Sequence, residues 1–314
     1  MRNRLFQFSL LILTSLSIAS CSKDDEMPVQ QTVYELAKST PDLSSLTAAL
    51  EKAGLDDDLN STSASFTVFA PTNAAFATFL SANGFANLDA VPTDVLTSIL
   101  LNHVVNSEKK AADLTTGYLK TLATYNGTSN INLYVNTASG VVLNGGPKVT
   151  IADVDASNGV VHIVDAVIGL PTVVTFAASN PDFSLLVEAL TRPDLSVNFV
   201  EILSGSGPFT VFAPTNAAFS ALLTELGVSS INDIDAATLE TVLTYHVASG
   251  NVLAGSLTEG QVVTTLQTGT FTISLTGGAK IIDFNSRVSN IIATDIQASN
   301  GVVHAIDKVL LPQL

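Results

Sequence analysis

The chain of 314 residues has one cysteine and no tryptophan, and only 13 of its residues are lysine or arginine. A single cysteine excludes an intramolecular disulfide, so the folded state must be stabilised by packing. The 28 acidic residues give a formal net charge of −15, which argues against electrostatic binding to nucleic acid or to an anionic lipid surface. The lack of tryptophan, with only five tyrosines, leaves few rings on which sugars can stack and weighs against glycan binding.

One ten-residue stretch occurs twice. Residues 67–76 and 210–219 both read Thr-Val-Phe-Ala-Pro-Thr-Asn-Ala-Ala-Phe, which indicates an internal duplication. The stretch predicts a strand over residues 66–70, a turn at Pro71 and a helix capped by Thr72. Without the residues before position 30, the chain is long enough for two domains of about 140 residues. We place them at residues 30–170 (the first repeat) and 172–314 (the second repeat).

The first residues have the pattern of a targeting sequence. Arg2 and Arg4 precede an apolar run over residues 5–19 that is short for a membrane span. It ends in Ile18-Ala19-Ser20-Cys21, which resembles the lipobox of bacterial lipoproteins; the alternative is an ordinary signal peptide with a chance cysteine. We therefore predict a signal peptide over residues 1–20, lipidation of Cys21 and a tether over residues 21–29.

The tether carries Lys23 followed by three acidic residues at positions 24–26. This resembles the surface-export signal of Bacteroidetes lipoproteins, although a solvated charge run gives the same pattern. We expect a protein that is lipid-anchored to the outer membrane and exposed on the cell surface.

Within each repeat, helical spacing comes first and strand-like alternation follows. Residues 43–50 form an apolar helical stripe that stops at Gly54, whereas the three acids at 56–58 are expected to lie in a solvated loop. A helix is predicted over residues 95–104, with its counterpart at 239–247. Each repeat then closes with a hairpin whose Asn-Gly, at 158–159 and 300–301, supplies the positive φ of a tight turn. The returning strand is apolar on both faces and should lie deep in the sheet.

Three sequence blocks resemble the signatures of the fasciclin domain family: residues 66–76, the Tyr245-His246 pair, and residues 300–312. The resemblance covers both repeats and implies an α+β fold in two tandem copies, each a wedge-like β-sandwich with packed α-helices. It also implies a non-enzymatic adhesion or interaction module. The first repeat departs from the pattern, because it has Asn102-His103 where the family often has Tyr-His. If the tyrosine contributes to binding, the first repeat differs in strength or specificity.

The four histidines form pairs at matching positions: His103 with His246, and His162 with His304. A metal site needs a cysteine or carboxylate beside them at a spacing that the sequence does not offer, so we predict no metal and no cofactor. No Gly-x-Ser-x-Gly motif is present, and we predict no enzyme activity. Apolar surroundings favour buried, hydrogen-bonded histidines over a two-histidine site in each repeat.

The predicted function is a surface adhesion module that binds an extracellular protein or polysaccharide, with no nucleic acid partner. The alternative is a lipoprotein that captures glycans or small ligands for uptake. Candidate binding residues lie near the Tyr-His helix and the closing hairpin: Asn102, His103, Tyr245, His246, Asp165 and Asp307. For Asp165 and Asp307, and for the asparagines at 73 and 216, a structural role is the simpler interpretation.

Overall fold

The computed structural model describes residues 30–313, so the predicted signal peptide, Cys21 and the whole of the predicted tether lie outside the described residues. The helices of the first repeat are α1 (Val33–Ser39), α2 (Ser44–Ala53), α3 (Asp56–Asn60), α4 (Asn73–Ala82) and α5 (Thr93–Leu101). Its strands are β1 (Phe66–Pro71), β2 (Val104–Val105), β3 (Gly117–Tyr125), β4 (Ser129–Asn136), β5 (Val142–Leu143), β6 (Val149–Ala156) and β7 (Gly159–Val164).

The second repeat follows the same order. Its helices are α6 (Val173–Ser179), α7 (Ser184–Leu190), α8 (Phe199–Ser204), α9 (Asn216–Leu226) and α10 (Ala236–Tyr245). Its strands are β8 (Phe209–Pro214), β9 (Val247–Ser249), β10 (Val262–Thr264), β11 (Thr270–Ser274), β12 (Lys280–Ile282), β13 (Val288–Ala298) and β14 (Gly301–Ile306).

The last strand of each repeat occupies the centre of its sheet, as predicted. In the first repeat the order is β2-β1-β7-β6, with β3-β4-β5 as a separate sheet. In the second repeat one sheet runs β10-β11-β12-β13-β14-β8-β9. Strands β7 and β14 each pair in parallel with the strand of the duplicated stretch, and every residue of β14 is buried. Because both faces of these strands are covered, near-continuous apolar sequence is what they require.

The duplicated stretch forms the predicted strand and helix, with one difference. Strand β1 continues through Pro71, whose missing N–H is tolerated because it is the last residue of the strand. The Thr72 hydroxyl then accepts the amide of Ala75 at 3.2 Å and caps α4. The first residue of that helix has a long-range role: the Asn73 side chain accepts the Ser45 amide at 2.8 Å and donates to the Pro41 carbonyl at 3.0 Å. Asn216 makes the equivalent contacts, so both asparagines join α-helices within their repeat.

The prediction for the Asn-Gly hairpins was only partly right. Asn158 does not adopt positive φ; its buried side chain instead accepts the amide of Val33 at 2.8 Å and donates to the carbonyls of Leu59 and Ser61 at 2.8 and 2.9 Å. Gly159 is required because a Cβ there would overlap the carbonyl oxygen of Phe66 in β1. The sequence Asn-Gly therefore joins the hairpin to the helices and to the neighbouring strand.

Two other predictions are corrected. The acids at 56–58 form the first turn of α3 and not a loop, since carboxylates at a helix N-terminus are favoured by the helix dipole. The helices predicted to include the histidines end earlier, at Leu101 and Tyr245. Each histidine therefore lies where its helix passes into a short strand.

The two repeats share buried contacts. Tyr134 of β4 is 2 % exposed and packs within the core of the second repeat. Nearby, the ring of Tyr118 meets Phe176 of α6 edge-on, with centroids 5.4 Å apart. The buried side-chain oxygen of Asn132 accepts the main-chain amide of Gln297 at 2.8 Å. These contacts restrict movement between the repeats far more than the short linker with Pro171 does alone.

Candidate functional site

All four histidines have both ring nitrogens occupied by the main chain. In His103, Nε2 accepts the Ile168 amide at 2.8 Å, so Nδ1 carries the proton and donates to the Ile99 carbonyl at 2.7 Å. His246 repeats the arrangement with the Leu310 amide at 2.9 Å and the Val242 carbonyl at 2.7 Å. The imidazole thus ties the end of the helix to the last segment of its repeat, and a neutral ring is the only form that satisfies both bonds.

His162 and His304 have the opposite tautomer. Their Nδ1 atoms accept the amides of Asp153 and Asp295 at 3.2 and 3.3 Å. Their Nε2 atoms donate to the carbonyls of Lys109 and Val252 at 2.8 and 2.9 Å. The prediction of buried, hydrogen-bonded histidines is confirmed for all four.

Burial favours the neutral form of His103, His246 and His304. Desolvation lowers the pKa of His103 and of His246 to about 4, against the opposing effect of the carbonyl that each ring donates to. Burial also lowers the pKa of His304. Within residues 30–313, no three side chains of His, Cys, Asp or Glu are grouped to hold a metal ion.

The residue before each histidine distinguishes the repeats. Tyr245 is fully buried, and its hydroxyl donates to the Thr270 carbonyl at 2.6 Å while accepting the Phe284 amide at 3.2 Å. Burial raises the pKa of this phenol. In the first repeat, the buried Asn102 amide instead donates to the Gly169 carbonyl at 3.0 Å. Tyrosine thus connects two loops that asparagine is too short to reach.

Those two loops form the walls of an open cleft of about 350 Å³ in the second repeat. It is lined by Tyr245, Gln267, Thr268, Gly269, Thr270, Phe284 and Gln313. The lining carries two side-chain amides, two threonine hydroxyls and two aromatic rings, and no charged side chain.

Phe284 presents its ring to solvent at this cleft. It is 54 % exposed, and among the phenylalanines and tyrosines of residues 30–313 it alone is classed as exposed. Its turn is held from both sides: Asp283 accepts the amides of Arg287 and Leu311, and Asn285 donates to the carbonyls of the C-terminal segment. The exposed ring is therefore carried by a fixed main chain.

Both cleft loops contain a non-glycine residue with a left-handed main chain. Thr268 has φ 72° and Ser286 has φ 61°. A β-branched residue in this region is strained at a cost of about 1–2 kcal/mol. The corresponding β3–β4 turn of the first repeat uses Asn126 and Gly127, which adopt positive φ readily. Together with the exposed ring and the uncharged polar lining, this strain makes the cleft a candidate functional site.

The predicted residues at the closing hairpin lie on the surface but serve the fold. Asp165 accepts the Lys148 amide at 2.7 Å, and Asp307 accepts the Asn290 amide at 2.8 Å and its side-chain amide at 2.6 Å. Asn102, His103, Tyr245 and His246 are all buried. The predicted role of these six residues in binding stays a prediction; Tyr245 alone belongs to the cleft described above.

The sequence reasoning missed Phe284, Gln267, Thr268 and Gln313. Two signals were available: a phenylalanine inside the turn-like sequence Asp283-Phe284-Asn285-Ser286, and a threonine where the first repeat has Asn-Gly. Neither signal reveals that the two turns face one another, because that depends on Tyr245.

Comparison with known proteins places this architecture. The Fasciclin domain model matches residues 41–171 and again residues 181–312. The chain therefore belongs to the fasciclin domain family and carries two tandem copies of the domain. The predicted α+β fold is confirmed by a solved FAS1 domain pair from the insect cell adhesion molecule fasciclin I. That structure matches with a TM-score of 0.52 at 20 % identity, over 86 % of this chain and 97 % of the other.

Relatives of known sequence include both single-domain matches and larger proteins. Protein sll1483 of Synechocystis is 41 % identical over 148 residues, covering 46 % of this chain and 74 % of that protein. Transforming growth factor-beta-induced protein ig-h3 of Sus scrofa is 30 % identical over 261 residues, covering 79 % of this chain. This chain spans only 35 % of the length of the pig protein.

Proposed function

We propose that this protein is a non-enzymatic adhesion or interaction lipoprotein that binds an extracellular protein or polysaccharide. The observation that carries the proposal is the tandem pair of fasciclin domains, an arrangement shared with the domain pair of the insect cell adhesion molecule fasciclin I. The absence of a free histidine base within the described domains supports a binding role, because every imidazole is committed to main-chain partners.

The proposal places the protein on the outer face of the outer membrane, anchored through a lipid on Cys21. The support is the lipobox-like sequence and the charged tether that follows it. A tether of residues 21–29 extends at most about 30 Å, which keeps the first domain near the membrane. No helix in residues 30–313 is long and apolar enough to cross a membrane.

Anchoring is tested by the Cys21→Ala variant in the native cell. We expect the wild type to lie in the outer-membrane fraction and to be cleaved by a protease added to intact cells. We expect the variant to be released from that fraction. Wild-type protein that stays internal to the cell, or a variant that fractionates like the wild type, contradicts the anchoring.

Adhesion is tested by measuring attachment of cells with and without the gene to surfaces coated with extracellular-matrix protein or with polysaccharide. We expect attachment to fall on deletion and to return on complementation. Unchanged attachment combined with slower growth on a polysaccharide favours the second candidate, a lipoprotein that captures glycans for uptake. The uncharged cleft with an exposed ring is the observation that keeps this candidate in consideration.

A further inference from the structure

We propose that the cleft between the 265–269 and 283–287 loops of the second domain binds a neutral saccharide, whose ring stacks on Phe284. This inference rests on the proposed function and gives its partner a chemical class and a position.

The exposed ring supplies the apolar part of such a site. A pyranose presents a face of C–H bonds and an edge of hydroxyl groups, so it matches an aromatic ring bordered by hydrogen-bonding groups. Phe284 provides the ring. It is 54 % exposed, so a stacked sugar would remove apolar area from water, which favours binding.

The lining supplies the polar part. Amides and hydroxyls offer both donors and acceptors to sugar hydroxyls, and Gln267, Thr268, Thr270 and Gln313 provide both kinds of group. The Gln267 side-chain oxygen already accepts the amide of Gly269 at 3.0 Å, which fixes that side chain and leaves its NH₂ group for a ligand. The volume of about 350 Å³ falls within the range of small-molecule sites.

Charge selects the class of saccharide. No charged side chain lines the cleft, and the nearest acid along the chain, Asp283, is buried and occupied by two amides of its own domain. The one cation of the two loops, Arg287, is bonded to Glu225 and does not belong to the lining. A uronate or sulfate therefore has no free cation to pair with in the cleft, within a protein of strongly negative net charge. A neutral sugar meets neither repulsion nor an unpaired buried charge.

The walls of the cleft are held in place before a ligand binds. Tyr245 bonds to the Thr270 carbonyl at the start of β11 and to the Phe284 amide in the 283–287 loop. Within the loops, the side chains of Gln267 and Asp283 accept main-chain amides. A ligand that binds fixed walls loses less conformational entropy on binding. In the first domain Asn102 takes the place of the tyrosine, so the inference assigns the saccharide to the second domain alone.

The experiment titrates the two-domain protein with cellohexaose, laminarihexaose and mannohexaose as neutral probes, and with an alginate hexamer as the anionic probe. Binding is measured by calorimetry and by amide chemical shifts. We expect at least one neutral probe to bind with shifts at residues 267–270 and 284, and Phe284→Ala to weaken it by about tenfold or more. Phe284→Tyr keeps the ring and should bind like the wild type.

Ile292→Ala is the matched control, since Ile292 is 56 % exposed on β13 and lies outside the cleft lining; it should leave binding unchanged. The inference is overturned if no neutral probe binds, if only alginate binds, or if folded Phe284→Ala binds like the wild type. Attachment to protein-coated surfaces separates failure of this inference from failure of the adhesion proposal. If cells that carry Phe284→Ala still attach better than cells without the gene, the adhesion proposal stands even when the saccharide site does not.

Discussion

The hydroxyl oxygen of Tyr245 lies 3.2 Å from the amide nitrogen of Phe284, 39 residues further along the chain. The same hydroxyl donates to the Thr270 carbonyl. A buried side chain at the end of α10 thereby sets the distance between two surface loops. Tyr245 therefore positions the walls of the cleft from a buried site, through hydrogen bonds to their main chain.

Tyr245→Phe tests this connection. Removing the hydroxyl leaves the Phe284 amide and the Thr270 carbonyl without their partner, which we expect to cost about 1–3 kcal/mol in the free energy of unfolding. Urea denaturation measures it, and amide shifts should change in both cleft loops. Tyr34→Phe is the control, because its hydroxyl bonds to the half-exposed Glu51 and its loss should be smaller. Equal losses would contradict the assigned role.

Gly301→Ala should prevent β14 from pairing with β8. A Cβ at this position overlaps the carbonyl oxygen of Phe209, so the central strand pair must separate. We expect a loss of about 4 kcal/mol or more in stability, or no folded protein. Gly84→Ala also has positive φ but meets open space, and it should cost only about 1 kcal/mol. Comparable thermal unfolding of the two variants would show that conformation, and not close approach, requires Gly301.

The buried histidines predict weaker folding in mild acid. Burial lowers the pKa of His103 and His246 to about 4 in the folded state, whereas in the unfolded chain histidine titrates near about 6.5. The unfolded state therefore binds more protons between these values. The contribution of these two rings to the free energy of unfolding should be fully present above about pH 6.5. It should decrease as the pH falls towards 4, by up to about 1.4 kcal/mol per pH unit for each histidine.

Urea denaturation at pH 7, 6 and 5 measures this dependence. The double variant His103→Gln, His246→Gln should be less stable at pH 7 but lose less stability between pH 7 and 5. Parallel pH profiles for the variant and the wild type would contradict the assignment to these two rings.

Tyr134→Ala should uncouple the two domains. This ring belongs to the first domain but is buried in the core of the second, so its removal should cost about 3 kcal/mol and divide one calorimetric transition into two. Leu133→Ala is the control, because the neighbouring residue of β4 points to the opposite face, into the first domain's own core. It should lower the melting temperature of the first domain without separating the transitions. A single transition in both variants would contradict the coupling.

The sequence was sufficient for features whose cause is local or repeated. Thr72 caps its helix, and a capping residue can be recognised from the residues next to it in the sequence. The closing strands lie at the sheet centres, and their continuous apolar sequence indicates this directly. The duplicated stretch indicated two similar units, and the Fasciclin domain model matches the chain twice. The cleft was missed because it depends on a tyrosine that bonds to two distant parts of the chain. The acids of α3 were wrongly placed in a loop, although the helix dipole that favours them at a helix N-terminus is a local effect.

The role of Asn158 and Asn300 shows the same limit. Their sequence context, Asn-Gly between two strands, is typical of a tight turn, and a turn is present. Their side chains, however, are buried against the start of one helix and the end of another, about 100 residues earlier or more. Only the folded chain shows that these residues bring together the beginning and the end of each domain.

The contact of Tyr118, Asn132 and Tyr134 with the second domain has a consequence for the history of the gene. Duplication makes two halves that are at first interchangeable, but these two are so no longer. If their order were exchanged, Tyr134 at one end and Phe176 at the other would face water without the partner surfaces that now cover them. Loss of either half would uncover one of the same surfaces, so removing or exchanging a copy would now cost solubility.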